Sequence, residues 1–371
     1  MTIFAIIYII ISQGELNIFH MKRLLSALKG IGCIVAGAIT RPVNYFKNHI
    51  TSSTGVDEGI YVPLCGQEQY LLIRGKNTNN PIIIWLHGGP SDPDAATNYA
   101  FQKYLVADYT IVNWDQRGCG RTYFRNRSED PDNKTATFDQ ALADLDELVA
   151  YVCDRFGKEK VILIGHSYGT MPGSKYALEH PDKVLAYVGV GQVVSFESET
   201  YSYQDALEKA KANGDDTAEM EAAYKAYMAD RNLANIGLLR SKTGKYHTAP
   251  KKTNLFWSRI ASPYWSSADA QWRRKQAGNP EDYFALNRQL FDYVITADVR
   301  NYGTQYQIPV GFISGACDWI TPVKYAQDYF DLISAPQKQI HLLDGCGHFP
   351  QYASPEEFCK ILKGTLNTFL S

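Results

Sequence analysis

Two periodicities alternate along this chain. Short runs in which nearly every position is apolar recur: Pro81-Ile-Ile-Ile-Trp-Leu86, Tyr109-Thr-Ile-Val-Asn-Trp114, Val161-Ile-Leu-Ile164, Val184-Leu-Ala-Tyr-Val-Gly-Val190 and Pro309-Val-Gly-Phe-Ile-Ser314. Runs of this length and continuity predict strands covered on both faces, as in a parallel sheet. Segments with apolar residues three and four apart lie between them. The strongest runs from Thr137 to Phe156, where Leu142, Leu145, Leu148, Val149 and Val152 share a face, and this spacing predicts a helix. Helices are also expected over 95–106, 171–178, 322–332 and 355–369. Further strands are expected at 58–64, 69–74 and 339–343, with Cys65-Gly-Gln as a turn between the first two. Strands alternating with helices give an α/β fold: a mostly parallel central sheet flanked by helices.

The alternation stops between about 195 and 304. Helical patterns appear near Tyr203–Asn213, Thr217–Asn232 and Pro280–Tyr293, and no apolar strand run appears. This stretch is expected to be a helical cap. The chain therefore divides into an N-terminal segment (1–47), a first part of the α/β core (48–194), the cap (195–304) and a second part of the core (305–371).

The N-terminal segment has its own pattern. Ile3 to Ile11 is an apolar run of nine residues, against the roughly twenty that a spanning helix needs. Met21-Lys-Arg is followed by an apolar stretch from Leu24 to Ile39 with Ala36-x-Ala38 near its end, interrupted by Lys29. That order resembles an export signal. The expectation is a membrane-associated or exported N-terminus, with translation starting at Met1 or Met21. The alternative is a cytoplasmic protein whose N-terminal helix packs on the domain.

Composition narrows the function classes. The 371 residues are 45% hydrophobic and 20% charged, with a formal net charge of -2. No basic stripe stands out, so nucleic acid is not an expected partner. The seven cysteines are scattered, with no Cys-x-x-Cys, and neither a His-Glu-x-x-His zinc motif nor a phosphate-binding loop is present. No metal and no cofactor are expected.

The chemistry is concentrated after the Val161 run. Gly165-His-Ser-Tyr-Gly169 places Ser167 between two glycines at a strand-to-helix transition. A turn that sharp forces the middle residue into a strained conformation and pushes its hydroxyl above the sheet. A serine hydroxyl is a weak nucleophile unless a base takes its proton and a third group fixes the base. For this turn the chain order is serine, acid, histidine. Asp318, just past the Pro309 run, is the expected acid, with Asp344 as its rival. His348, just past the next strand, is the expected base. Donors for a developing oxyanion are expected from the Tyr168 backbone and from the Gly88-Gly89 loop. His166 is read as a hydrogen-bonded core residue. Cys317 and Cys346 are read as small packing residues, or as a disulfide in an exported protein.

His87-Gly-Gly-Pro90, Asp115-Gln-Arg-Gly-Cys-Gly-Arg121, Gly165-His-Ser-Tyr-Gly169, Gly315-Ala-Cys-Asp318 and Gly347-His348 together resemble the α/β-hydrolase fold. More narrowly they resemble the prolyl-iminopeptidase-like serine peptidases, over about 58–370. The resemblance implies removal of an N-terminal residue, often proline, from short peptides without metal or cofactor. It also implies a cap in which carboxylates bind the substrate's free amine, for which Glu199 and then Glu197 are the candidates. The chain departs from the family pattern at Ser91, Thr122 and Tyr168, and these departures bear on the preference for proline. The expected ligand is a short peptide or a small amide or ester. The expected function is an aminopeptidase acting through an acyl-enzyme. The alternatives are a carboxylesterase or other acyl hydrolase, and a non-catalytic binding member of the fold.

Overall fold

The computed structural model describes Gly32 and residues 35–371. Eight strands form one sheet in the order β1-β2-β4-β3-β5-β6-β7-β8. They are β1 (Val56–Leu64), β2 (Gln67–Gly75), β3 (Ile82–Leu86), β4 (Thr110–Asp115), β5 (Val161–His166), β6 (Val184–Val190), β7 (Val310–Gly315) and β8 (Lys338–Leu343). β2 runs antiparallel to both neighbours, and every other pairing is parallel. Every residue of β3, β4, β5 and β7 is buried, as the continuous apolar runs require. Cys65 and Gly66 join β1 to β2, with φ of 44° and 79°. Two positive φ values at the turn centre match the strong twist of a two-residue hairpin.

Successive strand side chains point to opposite faces, and the core divides accordingly. Ile82, Ile84, Leu86 and Leu163 pack on one side with Leu145, Leu148, Val149 and Val152. Ile83, Trp85, Ile162 and Ile164 pack on the other with Phe101, Phe358, Leu362 and Leu366. In chain order the helices are α1 (35–48), α2 (Tyr99–Gln102), α3 (Gly120–Asn126), α4 (Phe138–Phe156) and α5 (Thr170–Glu179). The sequence predicts α4 closely because its ends are marked. The Thr137 hydroxyl accepts from the Gln140 amide, Asp139 lies in the first turn, and Gly157 closes the helix at φ 61°. The helix expected over 95–106 contracts to α2, flanked by turns. Asn98 and Gln102 instead turn their amides onto the buried Asn113 of β4.

Between β6 and β7 every named element is helical: α6 (Ser198–Asn213), α7 (Ala218–Ala229), α8 (Leu233–Thr243), α9 (Leu255–Ile260), α10 (Ser267–Ala277), α11 (Pro280–Leu286) and α12 (Arg288–Thr296), with short 3₁₀ turns. The single helix expected over 280–293 is broken at Asn287. That side chain is buried, accepts from the Ser91 hydroxyl at 2.8 Å and donates to the Tyr283 carbonyl at 2.9 Å. The break is therefore set by a tertiary contact with the loop after β3. Two further ties hold this layer down. Arg121 of α3 pairs with Asp269 at 2.6 Å, and the Trp272 indole donates to the Ser91 carbonyl at 3.0 Å. The core is completed by α13 (Val323–Leu332), α14 (Pro350–Ala353) and α15 (Pro355–Phe369).

Helix α1 leans on this helical layer. Arg41 and Asn44 donate to the carbonyls of Ile260 and Ala261, both at 2.9 Å, and Arg74 of β2 donates to the Asn48 carbonyl at 2.6 Å. Residues 35–48, spanning the end of the N-terminal segment, are thus packed against the rest of the fold. The signal-like residues 1–31 lie outside the described residues. Among the described residues no helix is long and apolar enough to cross a membrane.

Candidate active site

β3 pairs with β4 on one side and β5 on the other, and β5 pairs onward with β6, so the chain leaves the adjacent strands β3 and β5 in opposite directions. The crevice above such a switch point, at the carboxyl ends of the strands, is where open α/β sheets bind ligands. β3 ends into His87-Gly88-Gly89 and β5 into Ser167. The turn after β5 is tight. A Cβ on Gly169 would lie 2.1 Å from the Leu86 carbonyl oxygen, and one on Gly165 would lie 2.4 Å from the Gly169 carbonyl oxygen. Only glycine allows these approaches. Ser167 between them has φ 52°, a strained value for a residue with a side chain. One 3₁₀ turn (Ser167–Gly169) leads into α5.

Asp318 follows β7 and His348 follows β8, and both come to Ser167. His348 Nε2 lies 2.9 Å from Ser167 Oγ, and His348 Nδ1 lies 2.8 Å from Asp318 Oδ2. An ionised carboxylate only accepts, so Nδ1 carries the proton and Nε2 is free to accept from the serine hydroxyl. Asp318 is held from several sides. Oδ1 accepts from the Ile320 and Thr321 amides at 2.9 and 3.0 Å, and Oδ2 accepts from the Thr321 hydroxyl at 2.7 Å. Burial opposes its ionisation, but the neighbouring His348 and these bonds prevail and hold its pKa below the ordinary carboxylate value. Asp344 is exposed, and it is Asp318 that bonds His348.

Gly88 closes the site from the β3 side, where an added Cβ would lie 3.1 Å from Ser167 Cβ. Gly89 follows with φ 120°. Gly88, Gly89 and Tyr168 thus surround Ser167 at the crevice floor. His166 is buried and its Nε2 donates to the His348 carbonyl at 2.9 Å. Burial, and then the neighbouring His348, pull its pKa down to about 3, so it supports the His348 loop as a neutral ring. Cys317 and Cys346 are free thiols joined through the backbone, Cys317 N–H to Cys346 carbonyl at 2.8 Å.

Two cavities meet at Ser167. The smaller, about 60 Å³, runs under the cap between Val193, Val194, Phe196, Val294 and Tyr325, and ends at Glu199 and Arg240. The larger, about 190 Å³, opens on the other side, past His348 to Asp92, Asp94, Arg259 and Arg273. Glu199, on α6, is 4% exposed, and Arg240 of α8 pairs with it. Arg240 Nε lies 3.0 Å from Oε1 and 3.2 Å from Oε2, and Nη2 also bonds Oε1. Glu197, two residues earlier at the start of α6, faces outward. Its side chain is 56% exposed and pairs with Arg300 at 3.2 Å, so the fold does not bring it to Ser167.

Three residues at the site carried no readable signal in the sequence. Thr321 steadies Asp318 from a position explained equally well as a helix start. Gly191, at φ 59°, would place a Cβ 3.3 Å from Asp318 Oδ2 and 3.4 Å from His348 Cε1, but it reads as an ordinary strand end. Arg240 reaches Glu199 across 41 residues of cap, a separation that no local pattern encodes.

Residues 81–355 match the alpha/beta hydrolase fold family. A probable aminopeptidase of Bacillus subtilis is 24% identical over 306 residues, covering 80% of this chain and 92% of its own length. A proline iminopeptidase of Clostridioides difficile is 24% identical over 329 residues, covering 84% of this chain and 98% of its own. Among solved structures, a proline iminopeptidase-related protein of Thermus thermophilus superposes with a TM-score of 0.58 at 21% identity, covering 85% of this chain and 98% of its own. With its eight-stranded, mostly parallel sheet and the matched span, this chain belongs to the alpha/beta hydrolase fold family and is a hydrolase resembling the proline iminopeptidases.

Proposed function

We propose that the protein is a serine aminopeptidase that releases a small apolar or prolyl residue from the N-terminus of short peptides through an acyl-enzyme. Ser167 Oγ attacks the scissile carbonyl as His348 Nε2 takes its proton. His348 then returns that proton to the departing amine as the C–N bond breaks. Asp318 keeps the proton on Nδ1 and stabilises the imidazolium while it exists. In the second half, water loses a proton to Nε2 and attacks the ester, and His348 returns that proton to Ser167 Oγ as the C–O bond breaks and the acid leaves. The Tyr168 N–H and the Gly88–Gly89 backbone are the proposed donors for the oxyanion.

The observation that carries the peptidase reading is Glu199, a buried carboxylate lining the same cavity as Ser167. Its Oε1 takes two contacts from Arg240, but Oε2 takes only one, at 3.2 Å. Lone pairs on Oε2 remain for an ammonium group. The small volume of this cavity suits proline or alanine, and the names of the relatives agree. A second reading, an acyl ester hydrolase, draws on the same pair: if Arg240 keeps Glu199 to itself, the cavity presents only apolar walls. Comparing alanyl and prolyl 4-nitroanilides with their N-acetylated forms and with short 4-nitrophenyl esters separates the two. The proposal expects turnover of the free-amine anilides and little of the blocked ones. Turnover of esters alone would establish the second reading.

A further inference from the structure

The larger cavity is lined by both Ser167 and His348, so in the proposed reaction it is the side on which His348 would meet the departing amine. Its charges do not cancel. Asp92 is tied to Arg273, which also donates to the Pro93 carbonyl and to Gln276. Asp94 is occupied by the Trp85 indole and the Asn98 amide, both at 2.9 Å. Burial, opposed by these bonds, lifts its pKa to about 7, so near neutral pH it carries only part of a charge. That leaves Arg259 of α9. Among the described residues its Nε is buried with no hydrogen-bond partner, and no carboxylate pairs with its guanidinium. Burial, and then the nearby Arg273 cation, lower its pKa below the usual arginine value. An arginine this poorly compensated is one that an anion would stabilise.

We infer that Arg259 is a specificity residue that binds a carboxylate on the leaving group, so that the favoured substrates are dipeptides whose departing amino acid carries a free α-carboxylate. This rests on Ser167 being the nucleophile and His348 the acid that protonates the departing amine. The alternative cation for the carboxylate, Arg273, is already committed to Asp92. Hydrolysis gives two free amino acids: the acyl part passes through the Ser167 ester, and the other part leaves as an amine whose carboxylate stays on Arg259 until release. The position of α9 adds a structural point. Its C-terminal carbonyl, at Ile260, is held by Arg41 of α1, so the helix that presents Arg259 is braced from outside the cap.

The test reads a ratio within each protein, so a difference in folded fraction cancels. For the wild-type chain, kcat/KM is measured on alanyl-glycine and on alanyl-glycinamide, and as an ester pair on 4-carboxyphenyl and 4-carbamoylphenyl butyrate. The wild type should favour the carboxylate by about 10- to 100-fold, the range of one charged hydrogen bond. Arg259→Gln should bring the two leaving groups to about equal turnover, and Arg259→Lys should restore part of the preference. A wild-type ratio near one, a preference for the neutral group, or a ratio unchanged in Arg259→Gln would overturn the inference. N-acetyl-alanyl-glycine forms a separate arm. Its turnover at the alanyl-glycine rate would sink the aminopeptidase reading while leaving the carboxylate preference readable. No turnover of either pair would overturn both.

Discussion

Two buried carboxylates face Ser167, each with a basic partner, and they are held in different ways. Asp318 sits at the end of a sheet strand, fixed by two backbone amides and the Thr321 hydroxyl before His348 is counted. Its partner has one nitrogen left over, and that nitrogen points at the serine. Glu199 sits on a cap helix and is held by Arg240, whose side chain is 28% exposed. The first pair is organised by backbone that cannot move without the sheet, while the second depends on a long side chain arriving from another helix. The difference separates chemistry from choice. Under the proposed function, every substrate needs the Asp318–His348 pair, whereas only substrates with an amine to offer need Glu199.

Asp318→Asn is the strongest way to break this comparison. Losing the acceptor for the Nδ1 proton should lower kcat by about 10⁴-fold, and equally on amides and esters. A loss confined to one substrate class would show that Asp318 is not common machinery. Glu199→Gln should act selectively, lowering kcat/KM on free-amine substrates by about 10- to 100-fold, the value of one charge-assisted hydrogen bond. Acyl esters without an amine should lose far less. Parallel losses on both would mean that Glu199 braces the cap rather than reading the substrate.

These expectations were unevenly legible in the chain. The central strands follow from the apolar runs, because burial on both faces leaves few polar positions to break them. Ser167, Asp318 and His348 were readable because each falls where an apolar run stops, and strand ends are where the backbone turns toward the crevice. The cap was readable only as helical. Its charges pair over distances of 41 residues for Arg240 with Glu199 and 148 for Arg121 with Asp269, and local sequence does not encode which arginine meets which acid. The break at Asn287 was missed for the same reason, since its cause is Ser91, 196 residues away. Glu197 and Glu199 are the same residue type two positions apart, and the resemblance does no more than rank Glu199 first. Only the helix orientation, one facing inward and the other toward Arg300, tells them apart.

The smallest expected effect concerns stability. Asp94 has its folded-state pKa raised to about 7. The folded chain therefore holds a proton that the unfolded chain releases near the ordinary carboxylate pKa. Stability from this group is complete below that value and is lost as pH rises through about 7. Asp94→Asn cannot titrate, so its Tm should fall less than the wild type's between about pH 5 and 8, by a few degrees at about 1 °C per kcal/mol for a chain of this size. Asp115, also raised to about 7, remains to give part of the slope. Identical Tm–pH curves would show that Asp94 is already ionised in the folded state.

The nucleophile can be located directly. The intact protein is treated with a serine-directed fluorophosphonate, weighed by mass spectrometry and digested to place the adduct. The account predicts a single adduct on the peptide containing Ser167, absent in Ser167→Ala and strongly slowed in His348→Ala. An adduct on another residue, or undiminished labelling of Ser167→Ala, would contradict it.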